Sequence, residues 1–213
     1  MAFPSTPILD NFNRTAEGPP PSANWTSGFF TFGNNMQVQS SAAKITVGGA
    51  VSSDCYWNPG TFQAASEAYL AALPNGSCSS YLGVRITTPG VGTTDGYRAF
   101  MDDVSFLLRL QRMDDGVATQ LGASYDYNAL VPMTSPGIGL RAQGSELTFW
   151  LGVDAVWDTV PRLNSLDSTY PSGGYIGFGQ IAANTGNMDD FGGGNMADPL
   201  SDTPPFIGGY GAC

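Results

Sequence analysis

Short stretches that alternate large apolar residues with polar or small ones recur along this chain, separated by breaks rich in Gly, Asn, Asp and Pro. The pattern is plainest in residues 80–86 (SYLGVRI), 96–101 (GYRAFM), 105–113 (SFLLRLQRM), 137–142 (GIGLRA) and 146–153 (ELTFWLGV). A period of two puts successive side chains on opposite faces of an extended strand, so each stretch reads as a strand with one buried face. In 105–113, Phe106, Leu108 and Leu110 are expected to face a core and Leu107, Arg109 and Gln111 to face away. Asp114-Asp115-Gly116 predicts a hairpin turn, since the turns that match strand twist use residues tolerant of positive φ. In 175–178 the pattern places Ile176 and Phe178 on one face, Tyr175 and Gly177 on the other. Shorter strands are expected at 8–13, 28–33, 36–39 (with a turn at Asn34-Asn35), 44–47 and 51–57. Residues 64–73 (AASEAYLAAL) have helical propensity but are read as a strand within this β pattern. Consecutive prolines make 17–22 a rigid loop, because proline cannot donate to a sheet. Residues 154–171 are expected to form a long loop over one rim.

Two phrases near the ends are more specific. One is Ile8-Leu9-Asp10-Asn11-Phe12-Asn13-Arg14; the other is residues 173–194, GGYIGFGQIAANTGNMDDFGGG. Together they resemble the concanavalin-A-like (LamG/laminarinase-like) jelly-roll superfamily, in the form found in virion proteins of tailed bacteriophages. The resemblance implies an all-β, two-sheet antiparallel sandwich over residues 1–191 whose first and last strands lie side by side, with Trp25 in the core. It also implies a structural Ca²⁺ near the chain ends, held by Asp10 and Asp190, since hard cations gather carboxylate and carbonyl oxygens. The competing reading is that these aspartates accept backbone N–H bonds and fix the strand ends. Trp150 is likewise expected in the core.

Composition changes the picture in three ways. Only 12% of the residues are charged, which suits a subunit that buries area against neighbours or a surface solubilised by Ser, Thr, Asn and Gln. The net charge of −10, with eight basic residues and no basic stripe, removes the electrostatic basis for nucleic-acid binding. Residues 192–213 are rich in glycine and proline and are expected to form an irregular C-terminal arm, with Phe206, Ile207 and Tyr210 as apolar anchors for a neighbouring subunit. No signal peptide and no apolar run long enough to span a membrane is read. The expectation is a protein made in a host cytoplasm and carried in a virion, in contact with other virion proteins and copies of itself. Cys55 and Cys78 are left either paired or free, and Cys213 as a free or intermolecular thiol.

The chain has no histidine, so Ser-His-Asp and Cys-His catalysis and the usual zinc sites are excluded. Glycoside hydrolysis needs two carboxylates flanking one bond. The Glu-x-Asp-x-x-Glu pattern of hydrolases with this fold is absent, and Glu146 is the nearest position to it. The leading expectation is therefore a non-enzymatic virion structural protein, of the head surface or tail, in contact with host-surface polysaccharide. The alternatives are a carbohydrate-binding module and a divergent glycosidase acting through Glu146. Sugars stack on aromatic faces, which singles out Tyr56, Trp57, Tyr125, Tyr127, Trp157 and Tyr170 in or beside expected loops.

Overall fold

The period-two segments form strands in the computed structural model, which describes residues 2–30, 36–45, 52–73, 78–182 and 186–197. In chain order they are β1 (Ile8–Asp10), β2 (Ala16–Glu17), β3 (Trp25–Ser27), β4 (Met36–Gln39), β5 (Ala43–Ile45) and β6 (Ser52–Trp57). There follow β7 (Ser66–Ala72), β8 (Cys78–Thr87), β9 (Asp95–Asp102), β10 (Leu107–Asp114), β11 (Val117–Gln120) and β12 (Tyr125–Asp126). The last are β13 (Pro136–Gln143), β14 (Glu146–Val153), β15 (Val156–Trp157), β16 (Leu163–Leu166), β17 (Tyr175–Ala182) and β18 (Asp189–Asn195). A seven-stranded sheet has the order β1-β18-β7-β13-β14-β15, with β16 also on β14. An eight-stranded sheet has the order β11-β10-β9-β8-β17-β6-β3, with β12 also on β10, and β2-β4-β5 make a small third sheet.

Alternation decides what lies between the two large sheets. Leu70, Ile138, Leu140, Leu147, Phe149 and Leu151 enter the core from one, and Leu82, Val84, Tyr97, Leu108, Ile176 and Phe178 from the other. Each such side chain contributes about 1.5–3 kcal/mol on burial. The ends of the chain meet as the sequence implies: β1 pairs antiparallel with β18, Asp10 opposite Phe191. An aromatic cluster locks the junction, with Trp25 5.0 Å from both Phe178 and Phe191, and Phe12 5.7 Å from Phe178. At the expected hairpin, Asp114 pairs with Val117, and Asp115 (φ +48) and Gly116 (φ +76) form the turn. Both left-handed conformations match a type I′ turn.

Several expectations are corrected. Residues 28–30 form no strand, because the Phe29 and Phe30 N–H groups donate to the Asp54 carboxylate at 2.8 and 2.9 Å rather than to a neighbouring strand. Residues 31–33, the Asn34-Asn35 turn, 46–47 and 51 lie outside the described residues. The 154–171 loop contains β15 and β16, both paired to β14. Phe106 precedes β10 with φ +55 and packs at the margin of the core against Tyr127. Trp150 is 6% exposed but lies on the outer face, since Phe149 and Leu151 point inward. The sandwich does not stop at 191. β18 continues through its glycine run to Asn195, and Met196 is buried. A side chain at Gly192 would strike the Tyr69 ring at 2.1 Å, so glycine there makes room within the sheet. Phe206, Ile207 and Tyr210 lie outside the described residues. Residues 64–73 supply β7, whose pairing to β13 and β18 overrides helical propensity. Cys55 is a free, buried thiol. It pairs with Phe178 on one side of β17, and Cys78 pairs with Ala182 on the other, four residues along. That offset of roughly 13 Å along the strand exceeds disulfide reach.

Candidate functional site

The outward face of the seven-stranded sheet is set by register. Gly192, Tyr69, Gly139 and Trp150 form one row across β18, β7, β13 and β14; Gly194, Glu67, Arg141 and Thr148 form the next. Glu67 has no exposed surface. Its Oε1 accepts from the backbone N–H and the hydroxyl of both Ser5 and Thr6, and its Oε2 accepts from Arg141 Nε at 3.0 Å and Nη2 at 2.8 Å. Saturated hydrogen bonding is what makes a buried ion pair tolerable. These bonds hold the N-terminal segment across the sheet, and Phe3 fills the space above Gly139. Its ring stacks on Trp150 at 5.1 Å and 3° and meets Trp157 edge-on at 4.9 Å. Burial, with the charges of Glu67 and Asp190 adding to it, pushes the Tyr69 hydroxyl up to about 12.

Two clefts open along β14. The first, about 390 Å³, is lined by Arg141, Gln143, Glu146, Thr148 and Trp150, with Thr159 and Pro161 closing it from the 158–162 segment. Trp150 donates its indole N–H to Thr148 Oγ1 at 3.0 Å. Glu146 accepts from the Asn164 amide. The wall thus presents an amide, a carboxylate and two hydroxyls around an indole edge and a proline. Glu146 is the one carboxylate on this lining, and Glu67, behind it, has both oxygens engaged. The second cleft, about 380 Å³, lies toward the opposite end of β14 and is more apolar, with Val153, Val156, Trp157, Leu130, Pro132 and Met133 beside the Arg162–Asp158 ion pair.

The six aromatic candidates are not brought together. Trp157 lines the second cleft, and Tyr125 adjoins it through Arg162, which donates to its hydroxyl at 3.0 Å. Trp57 packs edge-on against Trp25 at 5.2 Å, and Tyr56 lies on the other side of its strand against Tyr175. Tyr127 is corrected to the core: it is 1% exposed, and its hydroxyl donates to Asp103 at 2.6 Å. Burial and Asp103 push its pKa far up. Tyr170 is likewise structural, its hydroxyl donating to Asp114 and Asp95 at 2.8 and 3.0 Å. Gln143, Thr148 and Thr159 were not singled out by sequence. The signal for the first two is the QGSE turn, which closes β13 on β14 with Gln143 opposite Glu146 and Arg141 opposite Thr148. Thr159 carries no such signal.

Asp10 and Asp190 line one shallow groove with Ile8, Leu9 and Asn11. The Asp10 carboxylate, however, accepts from Arg14 at 2.7 and 2.9 Å, from the Trp25 indole at 2.9 Å and from the Phe12 N–H at 2.9 Å. A guanidinium stands where a cation would sit, so these residues do not fit the implied Ca²⁺. Asp10 takes the competing role, accepting the Phe12 N–H and fixing the strand end. Among the described residues no group of three or more His, Cys, Asp or Glu is placed to hold a metal. Burial opposes charge on Asp10, but its hydrogen bonds from Arg14, Trp25 and Phe12 outweigh that and hold its carboxyl below the usual range.

No protein-family model matches the chain, and no curated protein matches it. Solved structures do. Carbohydrate-binding module CBM66 from Bacillus subtilis is 16% identical with a TM-score of 0.54, over 81% of this chain and 96% of that one. A Bacillus subtilis protein of unknown function with a galectin-like fold is 12% identical with a TM-score of 0.58, over 86% and 97%. The VIP36 exoplasmic/lumenal domain in its Ca²⁺/Man3GlcNAc-bound form is 11% identical with a TM-score of 0.58, over 90% and 95%. At these identities the likeness is one of fold, and the fold is the lectin-like jelly-roll sandwich that the two end phrases imply.

Proposed function

We propose that this chain is a carbohydrate-binding module, and that the first cleft on β13 and β14 is its binding site. The observation that carries the reading is the chemistry of that cleft. Saccharides present hydroxyls in planes and apolar C–H faces, and they are held by planar polar side chains beside a ring. Gln143, Glu146, Thr148 and Thr159 supply the polar groups, and Trp150 and Pro161 the apolar ones. The volume of about 390 Å³ falls within the range of small-ligand sites. Solved structures with this fold include a carbohydrate-binding module and a domain bound to Man3GlcNAc, which supports the same reading. Binding is favoured over hydrolysis because Glu146 has no second carboxylate across the cleft, and both glycosidase mechanisms need a pair.

The test is a glycan array probed with the folded protein, followed by titration of the hits against Gln143→Ala and Thr148→Val. Loss of binding in both variants, with unchanged thermal melting, is the expected result. An array without hits, or hits indifferent to both substitutions, removes this site. The virion setting implied by the end phrases is compatible with such a module as a host-surface contact.

A further inference from the structure

Six of the seven arginines are engaged by carboxylates or backbone carbonyls. Arg14, Arg109, Arg112, Arg141 and Arg162 each pair with a carboxylate, and Arg85 donates to the backbone carbonyls of Ala64, Tyr170 and Gly144. Arg98 differs. Its Nε donates to Gln111 Oε1 at 2.9 Å, and neither Nη has an acceptor among the described residues. Alternation puts it on the outward face of the eight-stranded sheet, opposite Gln111 on β10 and Gly83 on β8, with Phe100 two residues along. Its guanidinium carbon lies 5.6 Å from the centre of the Phe30 ring, 5.3 Å from Tyr81 and 5.2 Å from Phe100. Three rings and one amide therefore fix the side chain while its outer fork stays open. Burial lowers the pKa of this guanidinium, against the fields of Tyr81 and Asp54. Asp54 itself accepts from the Phe29 and Phe30 N–H groups and the Tyr81 hydroxyl.

A half-buried guanidinium clamped by aromatic rings and lacking a direct counter-charge gains when an anion completes its fork, and a planar carboxylate matches two N–H donors side by side. We infer that Arg98 anchors the carboxylate of an acidic saccharide on this face, a second subsite remote from the cleft on β13 and β14. Phe100, half-buried beside it, gives the sugar ring an apolar neighbour. An acidic polypeptide is disfavoured as the ligand, because the protein carries a net charge of −10 and repels a polyanion, whereas one carboxylate on a sugar meets little of that field. The inference rests on the reading of the chain as a saccharide binder and adds to it the class of saccharide.

The experiment compares uronic- or sialic-acid-terminated oligosaccharides with their methyl esters, which lack the carboxylate charge, by titration at low salt. Wild type is expected to bind the acid about tenfold or more tightly than the ester, as one charge-assisted fork requires. Arg98→Gln erases that preference, and Arg98→Lys, which keeps the charge without the fork, reduces it. Circular dichroism and melting of both variants check that the sandwich is intact. Equal binding of acid and ester by wild type, or a preference that survives in Arg98→Gln, overturns the inference, as does Arg98-dependent binding of a poly-glutamate peptide in place of the acid sugar. Neutral saccharides lost only in Gln143→Ala report on the cleft separately, so either site can fail without the other.

Discussion

Glu67 and Asp10 are buried carboxylates whose oxygens are fully used, and each makes a distinct prediction. Glu67→Gln leaves Arg141 largely buried without its counter-charge, which costs about 3 kcal/mol and is read as a lower urea midpoint with an unchanged slope. A midpoint within error of wild type would show that Arg141 finds another partner. Asp10 titrates lower in the folded chain than in the unfolded one, as does Asp102, whose carboxyl lies at about 2 because bonds from Ser105 and Arg109 overcome its burial. The unfolded state then takes up protons first as the pH falls. The stability these groups contribute is full above about pH 5 and is lost as the pH drops through the unfolded value of roughly 3.9 and on toward the folded ones. Melting curves from pH 6 to pH 2 should show that loss, with Asp10→Asn flattening part of it. Since Arg14 is the partner of Asp10, the melting temperature of wild type should be the same in excess Ca²⁺ as in EDTA. A rise with Ca²⁺ that Asp10→Asn abolishes would restore the metal reading.

At the scale of elements, the outer faces of both sheets follow one device, in which glycines in the strands receive aromatic rings from elsewhere in the chain. A Cβ at Gly139 would lie 2.0 Å from Phe3, and one at Gly177 would lie 3.0 Å from Phe29. Phe3→Ala should therefore uncover Trp150 and shift tryptophan emission to longer wavelength, at a stability cost of about 2 kcal/mol. An unchanged spectrum would mean that the N-terminal segment does not shield that ring. This is also where legibility in the sequence runs out. The alternation of 105–113 and 137–153 gave the strands, and Asp115-Gly116 the hairpin, because period and turn chemistry are local. Which glycine receives which ring depends on register between strands far apart in sequence, so alternation assigns Phe3 no partner and the composition of Gly192–Gly194 reads as the start of an arm. Residue type and expected loop position single out the aromatic candidates, and neither reports what a hydroxyl bonds to. Tyr127 and Tyr170 spend their hydroxyls on Asp103, Asp95 and Asp114, partners that only the fold brings near.

For the whole molecule, closure of the sandwich depends on β1 and β18 lying together, with Trp25 packed over the seam. Deleting residues 197–213 should leave the cooperative melt unchanged. Deleting 192–213 removes the half of β18 that pairs with Glu67, Ala68 and Tyr69 and should abolish it. Equal melts for the two truncations would put the end of the domain at 191 after all. The proposed saccharide site stands on the opposite flank of that sheet, where β13 and β14 turn back at Gly144 and carry the cleft side chains outward. The most direct measurement there is nuclear magnetic resonance titration of the four tryptophan indole N–H signals with an oligosaccharide that the protein binds. The Trp150 signal, whose N–H reaches Thr148 inside the cleft, should shift in proportion to occupancy while Trp25 stays still. Saturation with no movement at Trp150, and shifts confined to Trp57 or Trp157, would contradict a saccharide site on β13 and β14.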